Sequence, residues 1–83
     1  MIDHILEALS DGQQHTIDDL MTKLPTLIYR KSVLICLKFL ENYGFVIIQY
    51  IVQPNKDLMP EKVIISSEVR MFLERIKREE AQH

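Results

Sequence analysis

The sequence predicts an α+β fold: three helices, a β-hairpin and a closing helix. Three observations predict it. Apolar residues recur at helical spacing in three segments before Tyr43 and in one after Ser67. Between them, residues 45–65 are rich in β-branched side chains and are split by Pro54-Asn55-Lys56-Asp57. Gly44 stands where the longest helical pattern ends and the β-rich part begins.

The first helix is expected over Ile2 to Leu9, with Ile2, Ile5, Leu6 and Leu9 on one face. Ser10-Asp11-Gly12 stops it, since glycine takes the left-handed conformation past a helix end. Gln13-Gln14-His15 reads as a short polar connection. Thr16 then suits an N-cap whose hydroxyl accepts the Asp19 amide, close to a capping box. Asp18 and Asp19 favour the positive end of the helix dipole. Ile17, Leu20, Met21 and Leu24 make the stripe, and Pro25 ends it.

The third helix is expected from Leu27 or Ile28 to Tyr43. Val33, Ile35, Cys36, Leu37, Phe39, Leu40 and Tyr43 cover an arc of roughly 200°. An arc this wide predicts a helix covered by more than one neighbour, at the centre of the core. Gly44 is its C′ residue, with Phe45 able to pack back. Phe45 to Gln53 and Glu61 to Ser66 read as the two strands of a hairpin with a tip of about seven residues. Ser66 or Ser67 caps a final helix to about Glu80, with Val69, Phe72, Leu73 and Ile76 on its apolar face and a frayed end at Ala81-Gln82-His83.

The composition narrows the chemistry. With 83 residues and 47% hydrophobic content, the chain suits one small domain with a real core. The single Cys36 lies in an apolar run and reads as a buried, inert thiol. His4, His15 and His83 show no ligand spacing, so no metal and no cofactor are expected. No nucleophile–base pair or Gly-rich phosphate loop stands out, which argues against an enzyme. No apolar run reaches the ~18 residues of a membrane span, and no signal sequence opens the chain. The cytoplasm is the expected location.

Net charge is −2, but it is segregated. Residues 1–25 set Asp3, Glu7, Asp11, Asp18 and Asp19 against Lys23 alone and carry −4. Residues 26–66 set Arg30, Lys31, Lys38, Lys56 and Lys62 against Glu41, Asp57 and Glu61 and carry +2. Residues 67–83 are neutral. A local positive face matters even on an acidic chain.

Ile5-Leu6-Glu7-Ala8-Leu9, Thr16-Ile17-Asp18-Asp19-Leu20 and Leu37-Lys38-Phe39-Leu40-Glu41-Asn42-Tyr43-Gly44-Phe45-Val46 give the chain its resemblance to a known family. In that order it resembles the winged helix-turn-helix family, known among small bacterial and archaeal transcriptional regulators. The resemblance implies a three-helix core with a two- to three-stranded β-hairpin wing over residues 1–66, then a C-terminal helix over residues 67–83. It implies binding to double-stranded DNA, with the third helix in the major groove and the wing on the backbone. Carried onto this chain, the groove-facing residues are Arg30, Lys31, Leu34 and Lys38, flanked by Tyr29 and Ser32. On the wing, Lys56 is the first phosphate candidate and Lys62 the second. Arg30 suits a bidentate contact to guanine, and the lysines act as point charges.

Two features depart from the pattern: Leu34 lies among the groove-facing positions, and Asp57 and Glu61 stand beside the wing lysines. Both bear against base-specific reading. The acidic net charge, Leu34 on the outer face and the wide apolar arc of the third helix support an alternative, a winged-helix protein-interaction module within a larger assembly. Tyr29 and Tyr50 read as half-buried structural residues. The final helix is the expected homodimer element through Val69, Phe72, Leu73 and Ile76. Its other reading is that this stripe covers the first helix of the same chain.

Overall fold

A computed structural model describes residues 2–25 and 28–81. The elements run α1 (Ile2–Ala8), β1 (His15–Thr16), α2 (Ile17–Lys23), α3 (Arg30–Asn42), β2 (Val46–Val52), β3 (Leu58–Ile65) and α4 (Ser67–Ala81). The three strands form one antiparallel sheet in the order β1-β3-β2. One core serves the four helices and the β2–β3 hairpin. It joins Ile5 and Leu9 to Ile17, Leu20 and Leu24, to Val33, Leu37 and Leu40 of α3, and to Val46, Ile48, Val63 and Ile65 of the sheet.

The helix signals act as the sequence predicts. The Thr16 hydroxyl accepts the Asp19 amide at 3.1 Å and opens α2. Gly44 ends α3 with φ +75°. The Phe45 amide donates to the Leu40 carbonyl at 2.9 Å and the Gly44 amide to the Glu41 carbonyl at 3.0 Å. This pair of bonds is a Schellman motif, which needs a left-handed residue at C′. A Cβ at Gly44 would meet nothing within 4 Å, so only the backbone conformation opposes a side chain there. Gly44→Ala is therefore expected to cost about 1 kcal/mol, read as a lower urea midpoint with an unchanged m-value.

Four expectations need correction. The polar connection contains β1: His15 pairs with Val63 and Thr16 with Lys62. The α3 helix begins at Arg30, because Tyr29 is extended at φ −77°, ψ 140° and Ile28 packs against the core. An earlier start at Leu27 lies outside the described residues, as does the fraying of Gln82 and His83, whereas Ala81 is helical. The hairpin tip is shorter than expected, because Leu58, Met59 and Pro60 already belong to β3. Proline fits there because β1 pairs only at Lys62 and Val63, leaving that side of Pro60 unpaired. The register shifts between Gln49 and Tyr50, with Gln49 opposite Lys62 and Tyr50 opposite Pro60, leaving Glu61 as the bulged residue.

The fourth correction bears on function. The wide apolar arc of α3 is not covered all round. Val33, Leu37 and Leu40 are fully buried, but Ile35, Phe39 and Tyr43 are 62%, 48% and 64% exposed. The buried stripe of α3 is covered by α1, α2 and the sheet, and this other stripe is left open.

Candidate nucleic-acid interface

The outer side of α3 divides into two flanks. At 100° per residue, Arg30, Leu34, Lys31 and Lys38 fall on one and Ile35, Phe39 and Tyr43 on the other. The hairpin closes the polar flank through Tyr50 of β2.

Arg30 opens α3 and its guanidinium forms an ion pair with Asp18 in the first turn of α2. The two share a shallow cleft of about 260 Å³ with Ile51, Met59, Pro60 and Glu61 of the hairpin. Arg30 is thus poised between α2 and the wing, and its charge is already answered by a carboxylate. Lys31 is exposed and makes no ion pair among the described residues. Leu34 lies between Arg30 and Lys38 on this flank, yet it is half-buried and packs against the core.

Lys38 donates to Glu41 at 3.0 Å and to the Tyr50 hydroxyl at 3.4 Å, and its ammonium lies 5.5 Å from the Tyr50 ring centre. The Tyr50 hydroxyl donates to the same Glu41 oxygen at 2.8 Å. The Glu41 carboxylate raises the Lys38 pKa, so Lys38 remains a cation. Burial works against the Glu41 charge, but the hydrogen bonds from Tyr50 and Lys38 outweigh it and lower that pKa. Burial and the bond to Glu41 raise the pKa of Tyr50, which stays a hydroxyl donor. The trio fastens α3 to β2 and fixes where the wing leaves the domain.

The two wing lysines sit apart on the hairpin, Lys62 in the middle of β3 and Lys56 at the tip. Lys62 is half-buried, opposite Thr16 and Gln49 where all three strands pair. Lys56 is exposed at the tip, in the left-handed region at φ 68°. The Lys56 amide donates to the Gln53 carbonyl at 2.8 Å and closes the turn. The Asn55 side chain accepts from the Asp57 amide at 3.2 Å and keeps that carboxylate beside it. Four strand steps separate Lys62 from Leu58 at the tip end of β3, about 13 Å, so Lys56 and Lys62 do not form one cluster. Tyr29 is 80% exposed, against the expectation of a half-buried residue, while Tyr50 is half-buried as expected.

The sequence reading missed His15. It is 7% exposed and is clamped from both sides. Nδ1 lies 2.6 Å from Asp19 Oδ2, and Nε2 lies 3.0 Å from both oxygens of Asp11. Lys23 Nζ stands 3.5 Å from Nδ1 and 3.8 Å from the Asp19 carboxylate. Two ring nitrogens facing two carboxylates are both satisfied only by a doubly protonated ring, so the site favours the imidazolium. Hydrogen bonds to Asp11 and Asp19 raise its pKa. The Gln13 amide and His15 lower the pKa of Asp11. The sequence holds these carboxylates at i−4 and i+4 around one histidine. Among the described residues, no group of three or more His, Cys, Asp or Glu side chains is arranged to hold a metal ion, and no helix is long and apolar enough to cross a membrane.

No family model and no curated protein matches this sequence. One solved structure is similar across the fold: NadR, a winged-helix transcriptional regulator, in complex with 4-hydroxyphenylacetate. The two superpose with a TM-score of 0.64 at 24% identity, over 92% of this chain and 50% of that one. The fold is a winged helix-turn-helix. This chain spans half the length of NadR. In this fold α3 is the third helix, the β2–β3 hairpin is the wing, and β1 is the third strand of its sheet.

Proposed function

We propose that this winged helix is the DNA-binding module of a transcriptional regulator. The observation that carries the reading is the polar flank of α3. It presents Arg30, Lys31 and Lys38 outside the core, beside a hairpin arm that ends in Lys56. The N-terminal half of α3 enters the major groove, and Lys56 reaches the phosphate backbone. Arg30 exchanges Asp18 for a DNA acceptor on binding. Exposed ion pairs are worth about 1 kcal/mol or less, so the exchange costs little. Lys62 supports the root of the wing.

The test is fluorescence anisotropy with a labelled duplex at low salt. Arg30→Ala combined with Lys31→Ala is expected to weaken binding about 10- to 100-fold. Asp18→Asn is expected to strengthen it about 2- to 5-fold, because it removes a negative charge and releases Arg30. Binding that ignores all three substitutions would refute the placement of α3.

A second reading rests on the other flank. Ile35, Phe39 and Tyr43 lie at i, i+4 and i+8, with the Phe39 and Tyr43 ring centres 4.7 Å apart and Phe45 6.3 Å from Tyr43. An exposed apolar stripe of this kind suits protein docking, as in a winged-helix module held within an assembly. Phe39→Ser with Tyr43→Ser separates the two. DNA affinity survives it if the polar flank binds DNA. If the chain's role is docking through this flank, that variant loses its partner while Arg30→Ala does not.

A further inference from the structure

His15 stands where β1, the turn after α1 and α2 meet, and its ring has more partners than either protonation state can use. It lies opposite Val63 of β3, with Lys62 one residue away, opposite Thr16. The turn after α1 supplies Asp11, whose two oxygens lie 3.0 Å from Nε2. The α2 helix supplies two groups to the other nitrogen, Asp19 Oδ2 at 2.6 Å and Lys23 Nζ at 3.5 Å. His4 and Glu7 of α1 share a cleft with Lys23. The α4 helix rests on the core through Val69 and Leu73 and lays the Arg70 guanidinium against Gly12. Glu74 pairs with that guanidinium at 3.4 Å.

Nδ1 thus has an acceptor and a donor within reach and can serve only one of them. With a proton on Nδ1, the ring donates to Asp19 and the Lys23 ammonium faces a like charge. Without that proton, Nε2–H still donates to Asp11, and the Nδ1 lone pair accepts from Lys23. Asp19 then loses its donor. We propose that His15 and Lys23 form a proton-operated exchange that sets how strongly the polar flank of α3 attracts DNA, an inference that rests on the DNA-binding reading. The link runs through the first turn of α2. Asp19 follows Asp18, the residue that holds Arg30. The α2 helix has seven residues and is about 10 Å long, so these charges act on Arg30 within about one Debye length. Loss of the His15 proton removes one positive charge there and leaves the Asp19 carboxylate beside Asp18. Arg30 is then held more firmly, and a phosphate is repelled more. Asp11 and Asp19 hold the ring's pKa up, so the exchange falls above the ordinary histidine value.

Two measurements on the whole chain test it. Imidazole nitrogen NMR follows the His15 titration without DNA. The neutral ring is expected in the Nε2–H form. Lys23→Met should move the midpoint to higher pH, and Asp19→Asn to lower pH. Fluorescence anisotropy with a labelled duplex at fixed salt then follows affinity from about pH 6 to pH 8.5. Wild-type affinity is expected to fall about 3- to 5-fold over that range, and that of His15→Asn by less than about 2-fold. In Lys23→Met the fall should move upward with the NMR midpoint. Lys23 is 40% exposed, so that variant stays decisive even if His15→Asn fails to fold. A midpoint that Lys23→Met leaves in place, or a neutral ring protonated on Nδ1, overturns the exchange. Duplex binding that ignores pH, or whose pH response survives in His15→Asn, overturns the proposal alone. No duplex binding at either pH refutes the DNA-binding reading and the proposal with it.

Discussion

Leu37→Ala is expected to leave the domain barely folded. Leu37 has no exposed surface and stands at the middle of the buried stripe of α3, between Val33 and Leu40. Truncating such a leucine removes its transfer energy and leaves a cavity, costing about 3 to 5 kcal/mol. A domain of this size has about 5 to 10 kcal/mol in total. The expected reading is a fall in Tm of about 15 °C or more. Ile35→Ala, two residues away on the same helix, should cost under about 1 kcal/mol, since the side chain is mostly in water. A large loss at Ile35 would contradict the division of α3 into a buried and an exposed flank.

That division marks the limit of what periodicity tells. The sequence shows that Val33, Ile35, Leu37, Phe39, Leu40 and Tyr43 belong to one helix. It does not show how much neighbouring chain remains to cover them. Coverage depends on which side of the helix α1, α2 and the sheet pack against, and that is a tertiary fact. Punctuation was more legible. Thr16, Gly44 and the Pro54–Asp57 turn each act through the local backbone, and each does what its chemistry requires. Pro60 was misread because a proline is compatible with a strand wherever its missing amide faces no partner, and that depends on how far β1 extends.

The second large effect is a dependence of stability on pH, centred on His15. The ring carries a pKa raised by Asp11 and Asp19. A raised histidine pKa contributes stability that is fully present below the unfolded value of about 6.5. That stability is lost as pH rises through the folded value. Asp11 has the opposite sign: its pKa is lowered, so its contribution is present above about 3.8 and is lost as pH falls. Lys23 works against the imidazolium by like charge. Together the groups place the stability optimum in mildly acidic solution, between about pH 4 and pH 6.5. The wild-type Tm is expected to be higher at pH 6 than at pH 8.5. His15→Asn should lower Tm at pH 6 and remove most of the difference between the two conditions. An equal pH response in that variant would show that another group carries it.

The candidate site was legible in its charges and not in their pairing. Arg30, Lys31 and Lys38 are read directly from the chain, and the structure places all three on one flank. What the sequence withholds is that Arg30 faces Asp18, twelve residues earlier, and that Lys38 shares Glu41 with Tyr50 of the wing strand. These partners depend on how α2 and β2 approach α3. Leu34 lies among these cations on the helix, yet its side chain is half-buried against the core, which the sequence alone does not show. His15 was the other omission: no helix spans Asp11 to Asp19, so the clamp depends on the turn at Gly12 and on how β1 leads into α2.

The most direct measurement of the central claim is the dissociation constant for a short duplex across a salt series. Four cations on each copy, Arg30, Lys31, Lys38 and Lys56, predict that log Kobs falls with log[salt] at a slope of about −3 to −4 per copy bound. In the Arg30→Ala/Lys31→Ala variant that slope should become about 2 less steep. No binding to duplex at low salt, or an affinity indifferent to salt, would contradict the account.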